Sequence, residues 1–216
     1  EGSMLSPRWS PDGTRIAFSA GSLFAVRTNG DSLRQLTTIA GYSLSFSPAG
    51  DRIAFETRYQ DSSGSIVIWI MNSDGSALHD VSTHGLGEWR YPAWSPDGRT
   101  LLHTRYVPGV SGTELFQMDT LGHNGARLTY DSFNDGQPSW SPDGESIVWT
   151  SGRGDHAELW IMNKNGGEKR RLTDGVFGSF SPDSKRVAFT ALNPERTRFV
   201  LWKLDLRTSI ATQLTH

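Results

Sequence analysis

Cysteine is missing from this chain. Its absence removes disulfides, thiolate metal sites and cysteine nucleophiles at once, and it suits an oxidising compartment as well as a reducing one. No apolar run is long enough to span a bilayer, and no segment has the layout of a secretory leader. No membrane insertion is therefore expected. Nor is there a basic block long enough to grip nucleic acid: the densest is Lys169-Arg170-Arg171, in a chain of formal charge -2. Helical periodicity of useful length is also lacking. The opening EGSM reads as a cloning remnant, so a native leader or upstream domain would lie outside these 216 residues.

What the chain does have is turns, with 23 Gly and 10 Pro, and a repeat. Aligned on Ser-Pro, it reads WSPDG at 9–13, FSPAG at 46–50, WSPDG at 94–98, WSPDG at 140–144 and FSPDS at 180–184. A short apolar alternation follows each copy (TRIAF, DRIAF, RTLLH, ESIVW, KRVAF). A second strand comes next (SLFAV, VIWIM, ELFQM, ELWIM, VLWKL), then a polar turn and a closing RLT-like strand. Period-two alternation with aromatic and β-branched residues makes these strands, here A, B, C and D. Pro-Asp-Gly supplies the A–B turn: Pro presets φ, Asp bonds its own backbone and Gly takes the left-handed conformation. Five four-stranded antiparallel units at this period predict an all-β fold, a β-propeller of five blades, because a lone blade cannot bury its two apolar faces. The expected blades are about 7–38, 44–83, 92–130, 138–174 and 178–216, in one domain over 1–216, with the ring closed by blade 1 packing on blade 5; the rival is an open arc, or a fragment of a six- or seven-bladed ring completed by another chain.

The run WSPDG..IAF, an aromatic strand, MNxDG and RRLT resembles the TolB-like propeller repeat, which also occurs in tricorn protease propellers and in the N-terminal propellers of prolyl oligopeptidase-type peptidases. The resemblance covers nearly the whole chain. It implies a non-catalytic protein-interaction or ligand-binding module in a periplasmic or extracellular setting. Members usually carry six or seven blades, and this chain carries five.

Loop lengths separate the two faces of the disc. From the A aromatic to the B position the offset is nine in every copy, and from C to D it is twelve. The B–C and D–A connections vary, so recognition is expected on their face and at that mouth of the channel. The richest segment there is THGLGEWRY at 83–91, with His84, Glu88, Trp89, Arg90 and Tyr91. Trp89 is the one Trp off the repeat pattern, either a binding anchor or stacking platform, or a cover for the core. The D–A loop at 130–137 adds Tyr130, Phe133, Asn134 and Asp135; the B–C loops add Arg58, Tyr59, Arg105, Tyr106, Arg153 and His156. The expected partner is another protein, or a saccharide.

Catalytic and metal chemistry find little footing. Asp12, Asp97, Asp143 and Asp183 repeat with the scaffold and read as turn residues rather than calcium ligands. The six His show no HExxH spacing. His103 stands where other blades place Phe or Trp and reads as a packed residue. One alternative keeps a carbohydrate-active or metal-binding site at the mouth, with His84 and His156 approaching Asp135 or Asp155. Another is a pure repeat scaffold. No G-x-S-x-G elbow occurs, and the tripeptide RGD at 153–155 is too common to carry adhesive meaning. No catalytic residue, metal or cofactor is assigned.

Overall fold

The computed structural model describes residues 5–58, 64–82, 88–153 and 156–215. These form twenty strands in five antiparallel sheets of four. Blade 1 is β1 (Leu5–Trp9), β2 (Arg15–Ser19), β3 (Leu23–Arg27) and β4 (Arg34–Thr37). Blade 2 is β5 (Tyr42–Phe46), β6 (Arg52–Arg58), β7 (Ile66–Asn72) and β8 (His79–Asp80). Blade 3 is β9 (Trp89–Trp94), β10 (Thr100–Tyr106), β11 (Thr113–Asp119) and β12 (Ala126–Arg127). Blade 4 is β13 (Asn134–Trp140), β14 (Ser146–Arg153), β15 (His156–Asn163) and β16 (Arg170–Asp174). Blade 5 is β17 (Val176–Phe180), β18 (Arg186–Leu192), β19 (Phe199–Asp205) and β20 (Ala211–Gln213). In every blade the strands lie in chain order, the first inside and the last outside.

The A–B turn forms for a local reason. Ser10 Oγ donates to Asp12 Oδ1 at 2.5 Å, the Thr14 amide donates to the same oxygen, and the Arg15 amide donates to Ser10 Oγ. The Ser–Asp pair recurs at Ser95–Asp97, Ser141–Asp143 and Ser181–Asp183. These bonds hold the Asp12 carboxyl down to about 2. In blade 2, where Ala49 breaks the motif, Asp51 accepts from Ser47 Oγ at 2.7 Å instead. The repeated aspartates thus stabilise turns.

The core lies between blades. Leu23, Ala25 and Leu36 of blade 1 meet Leu44, Ile53, Phe55 and Met71 of blade 2. The same positions repeat at the next three junctions, ending with Val148 and Leu159 against Val187, Phe189 and Leu204. The inner strands pack β1 on β5, β5 on β9, β9 on β13 and β13 on β17. Among the described residues β17 makes no comparable packing on β1. Among the described residues the expected closure of blade 5 on blade 1 is therefore not formed. The residues that would meet at that junction stay open, with Trp9 63% and Leu201 41% exposed.

Candidate binding site at the channel mouth

Each inner strand slips register against its partner once, between Leu5 and Arg8, Tyr42 and Ser45, Tyr91-containing β9 and Leu102/Thr104, Gly136 and Ser139, and Val176 and Ser179. The bulges put Ser43, Tyr91, Gln137 and Phe177 at positive φ, 49°, 55°, 53° and 59°. All four stand three residues before the strand-A aromatic. A side chain at such φ is strained, and bulges of this kind re-aim side chains. Here they turn them into a channel of about 830 Å³ that is also lined by Arg8, Pro92 and Pro138.

The next strand of the preceding blade fixes two of these bulges. Glu56, buried, accepts from Ser43 Oγ at 2.7 Å and from the Tyr91 amide at 3.1 Å. Thr150 Oγ1 accepts from the Phe177 amide at 3.2 Å. A side groove of about 270 Å³ leads from the channel between blades 3 and 4, walled by Arg90, Tyr91, Thr104, Asn134 and Gln137 among others. Gln137 Oε1 is buried there without a hydrogen-bond partner. Arg90 is held by Glu88 through two bonds of 3.0 and 2.8 Å to one carboxylate oxygen.

Of the loop-face candidates, Arg90, Tyr91 and Asn134 come together on this groove, with Glu88 behind Arg90. Trp89 takes the covering role. It is only 4% exposed and stacks on His103 at 4.4 Å between centroids. Arg105 lies over its ring at 4.9 Å, and Tyr106 is exposed beyond. Arg58, also exposed, reaches the Gly64 carbonyl. Tyr59, His84 and Asp155 lie outside the described residues.

The remaining candidates belong to a charge lattice across blades 3 and 4. Arg127 bridges to Glu114 at 2.7 Å, and Tyr130 covers its guanidinium. Arg153 is sandwiched between Phe133 and Trp160 at 4.3 and 4.2 Å and bonds Asp131 at 2.7 Å. Arg171 bridges Glu158 and Asp174, with His156 3.7 Å from each. Each arginine is matched by a carboxylate, so the lattice ties loops together. The sequence-based pairing of His156 with Asp135 is not formed: His156 groups with Glu158 and Asp174, and Asp135 with Glu114 and Asp131, each trio within 4.8 Å. Asp135 is fully buried and neither carboxylate oxygen has a hydrogen-bond partner. Burial pushes its carboxyl up to about 6, against the pull of the neighbouring Ser151, Thr129 and Trp149.

Ser43, Gln137, Phe177 and Arg8 escaped the loop-based search because they sit inside strands. The position three before the aromatic holds Ser43, Tyr91, Gln137 and Phe177, but the residues on either side of it vary as much, so the repeat alone did not single it out.

A repeat of four-stranded blades, with variable side chains lining the channel, defines a β-propeller. The model of the TolB beta propeller domain matches residues 86–216, and the chain belongs to that family. A TolB homolog of Chlorobium chlorochromatii is 38% identical over 163 residues, 69% of this chain and 36% of that protein. An uncharacterised protein of Agrobacterium fabrum is 26% identical over 200 residues, 88% of this chain and 66% of its own length. The chain thus spans under two thirds of these relatives. Among solved structures, a putative TolB from Agrobacterium tumefaciens superposes with a TM-score of 0.83 at 21% identity, covering 98% of this chain and 80% of that one. An oligogalacturonate lyase in complex with manganese gives 0.74 at 15%, over 96% and 63%. At these identities the two structures show the fold alone.

Proposed function

We propose that this TolB-family propeller is a non-catalytic, extracytoplasmic binding module whose channel mouth takes an extended segment of a partner protein. The observation that carries this is the ring of bulges. Four non-glycine residues share one strained conformation at one repeat position, and all four side chains face the channel. Strain repeated in four of the five blades costs stability, so it favours a role in recognition. The wall is suited to a peptide: Tyr91 and Phe177 are aromatic anchors, Gln137 offers an amide to a main chain, and Arg8 supplies a cation. Within the side groove, Arg90, Asn134 and the threonines beside Tyr91 also favour a saccharide, which is the second reading.

Random peptides of about a dozen residues, displayed on phage and selected on the immobilised protein, supply the probe. Binding of selected peptides by calorimetry should weaken at least about tenfold, or roughly 1.4 kcal/mol, in Tyr91→Ala and Phe177→Gly. Phe177→Gly should melt no lower than the parent, because glycine relieves the positive φ of an exposed residue. Selected peptides that bind both variants unchanged would overturn the peptide reading. A glycan array that gives a Tyr91-dependent ligand where peptides give none would replace it with the saccharide.

A further inference from the structure

We propose that Glu114, Asp131 and Asp135 form a binding site for one calcium ion, set between blades 3 and 4 and apart from the channel wall. This goes beyond the channel-mouth reading and does not depend on it. One oxygen from each of the three carboxylates lies within 4.8 Å of the others. Oxygens around a single calcium ion lie at most about 5 Å apart, twice the usual bond length, so the spacing suits one ion. Glu114 and Asp135 are fully buried, and Asp131, whose side chain is 34% exposed, leaves a way in. Arg127 and Arg153 each neutralise one carboxylate, Glu114 and Asp131 in turn. Asp135 is the third, and neither of its oxygens has a hydrogen-bond partner. A buried carboxylate without a partner is costly, and a divalent cation removes that cost.

Comparison between blades shows that the scaffold itself does not use these groups. Glu158 is the blade 4 counterpart of Glu114, and both its oxygens are taken: Oε1 accepts from Arg171 Nε at 2.7 Å, and Oε2 from Trp160 Nε1 at 2.8 Å. Blade 3 has Phe116 in place of that Trp, so Glu114 Oε1 accepts from Arg127 while its buried Oε2 is left without a donor. Asp135 stands where blades 2 and 5 hold Gly41 and Gly175. Ser151 pairs with Asp135 across β13 and β14, which puts both side chains on one face of the sheet. Its hydroxyl is fully buried and has no partner, whereas Thr57, at the same site in blade 2, donates to the Ala40 carbonyl at 2.6 Å. Ser151 thus adds a neutral oxygen aimed at the three carboxylates. Such a donor set, all oxygen with no His or Cys, selects a hard cation over zinc. Burial leaves little room for the waters that magnesium keeps, which favours calcium.

The test uses the 216-residue chain, stripped with EDTA and exchanged into chelator-free buffer. Titration with calcium chloride in a calorimeter should show one ion per chain. Calcium at about one hundred times its dissociation constant should raise the melting temperature by about 5 °C or more. Asp135→Asn should abolish both responses. Without calcium it should melt no lower than the parent, because it keeps the shape and removes a buried charge. Should that variant fail to fold, Glu114→Gln carries the same comparison. Asp174→Asn, in the second carboxylate cluster beside His156, should respond to calcium as the parent does. A parent that takes up no calcium at about 10 mM, well above the dissociation constants of weak extracellular sites, overturns the proposal. So does a response that survives in Asp135→Asn, or one that is lost in Asp174→Asn, because the ion would then sit elsewhere.

Discussion

Trp89 and His103 stack with ring centroids 4.4 Å apart and planes inclined by 20°. Both depart from the repeat, and the structure makes the two departures one feature. Trp89 stands five residues before the strand-A aromatic, a position held by Gly41, Asp135 and Gly175 in other blades. His103 occupies the strand-B site of Phe55, Trp149 and Phe189. In blades 2 and 5, where strand B carries Phe, the facing residue is Gly: a Cβ on Gly41 would lie 2.7 Å from the Phe55 ring, and one on Gly175 2.6 Å from that of Phe189. Where strand B carries the smaller, more polar His, a Trp covers it.

A double-mutant cycle should therefore show strong coupling. Trp89→Gly alone should cost about 3–5 kcal/mol, since it empties a buried site. His103→Phe alone crowds the indole and should cost about 1–3 kcal/mol. The double variant restores the Gly/Phe pairing of blades 2 and 5 and should cost at least about 2 kcal/mol less than the sum, measured by urea unfolding. Additive costs would show the two sites to be independent.

His103 also makes the fold sensitive to acid. It is fully buried, and desolvation, aided by the Arg105 charge, lowers its pKa from 6.5 to about 3. The native state keeps it neutral, while the unfolded chain takes up a proton below 6.5. The unfolded state then binds more protons, so stability is complete above that value and is lost as pH falls toward 3. By this linkage the contribution lost at pH 5 is about 2 kcal/mol. In a His103→Phe background, urea midpoints at pH 7.5 and 5 should differ by correspondingly less than in the parent.

Asp135 works in the opposite direction. Its folded pKa is raised to about 6 from 3.8, so between these values the native state holds a proton that the unfolded chain has released. Stability then falls as pH rises through that window. Asp135→Asn keeps the shape and removes the buried charge. It should stabilise the protein by at most about 3 kcal/mol at pH 7.5, and the gain should vanish toward pH 4. A loss of stability at pH 7.5 would mean that the ionised carboxylate has a compensating partner.

The blades were legible because strand alternation, Pro-Asp-Gly turns and aromatic spacing are local and recur five times. The A–B and C–D offsets separated a uniform face from a variable one, and Arg90, Tyr91 and Asn134 do share a groove there. Trp89 misled in part, because an off-pattern Trp looks like an anchor until its partner across the sheet is known, and the register pairs β9 with β10 through Trp89 and Arg105. The channel ring was hidden for a different reason. A bulge leaves no turn residue behind: Tyr91 and Gln137 carry positive φ without glycine or asparagine to announce it. Ring closure was the least legible, because it depends on the sum of small rotations between blades rather than on any one residue.

Two glycines of nearly identical backbone separate local strain from packing between blades. Gly30 and Gly75 have φ of 88° and 89°, so replacement by Ala carries the same conformational penalty at both, about 1 kcal/mol. They differ only in what lies beyond. A Cβ at Gly75 meets the Leu36 carbonyl oxygen at 2.3 Å, and at Gly30 it meets open space. Gly75→Ala should therefore cost about 1–3 kcal/mol more than Gly30→Ala by chemical denaturation, because blade 2 must move away from blade 1 to admit the methyl group. Equal costs would show that the junction between blades 1 and 2 yields without loss, and that the close approach of the Gly75 turn to β4 contributes nothing to holding the blades together.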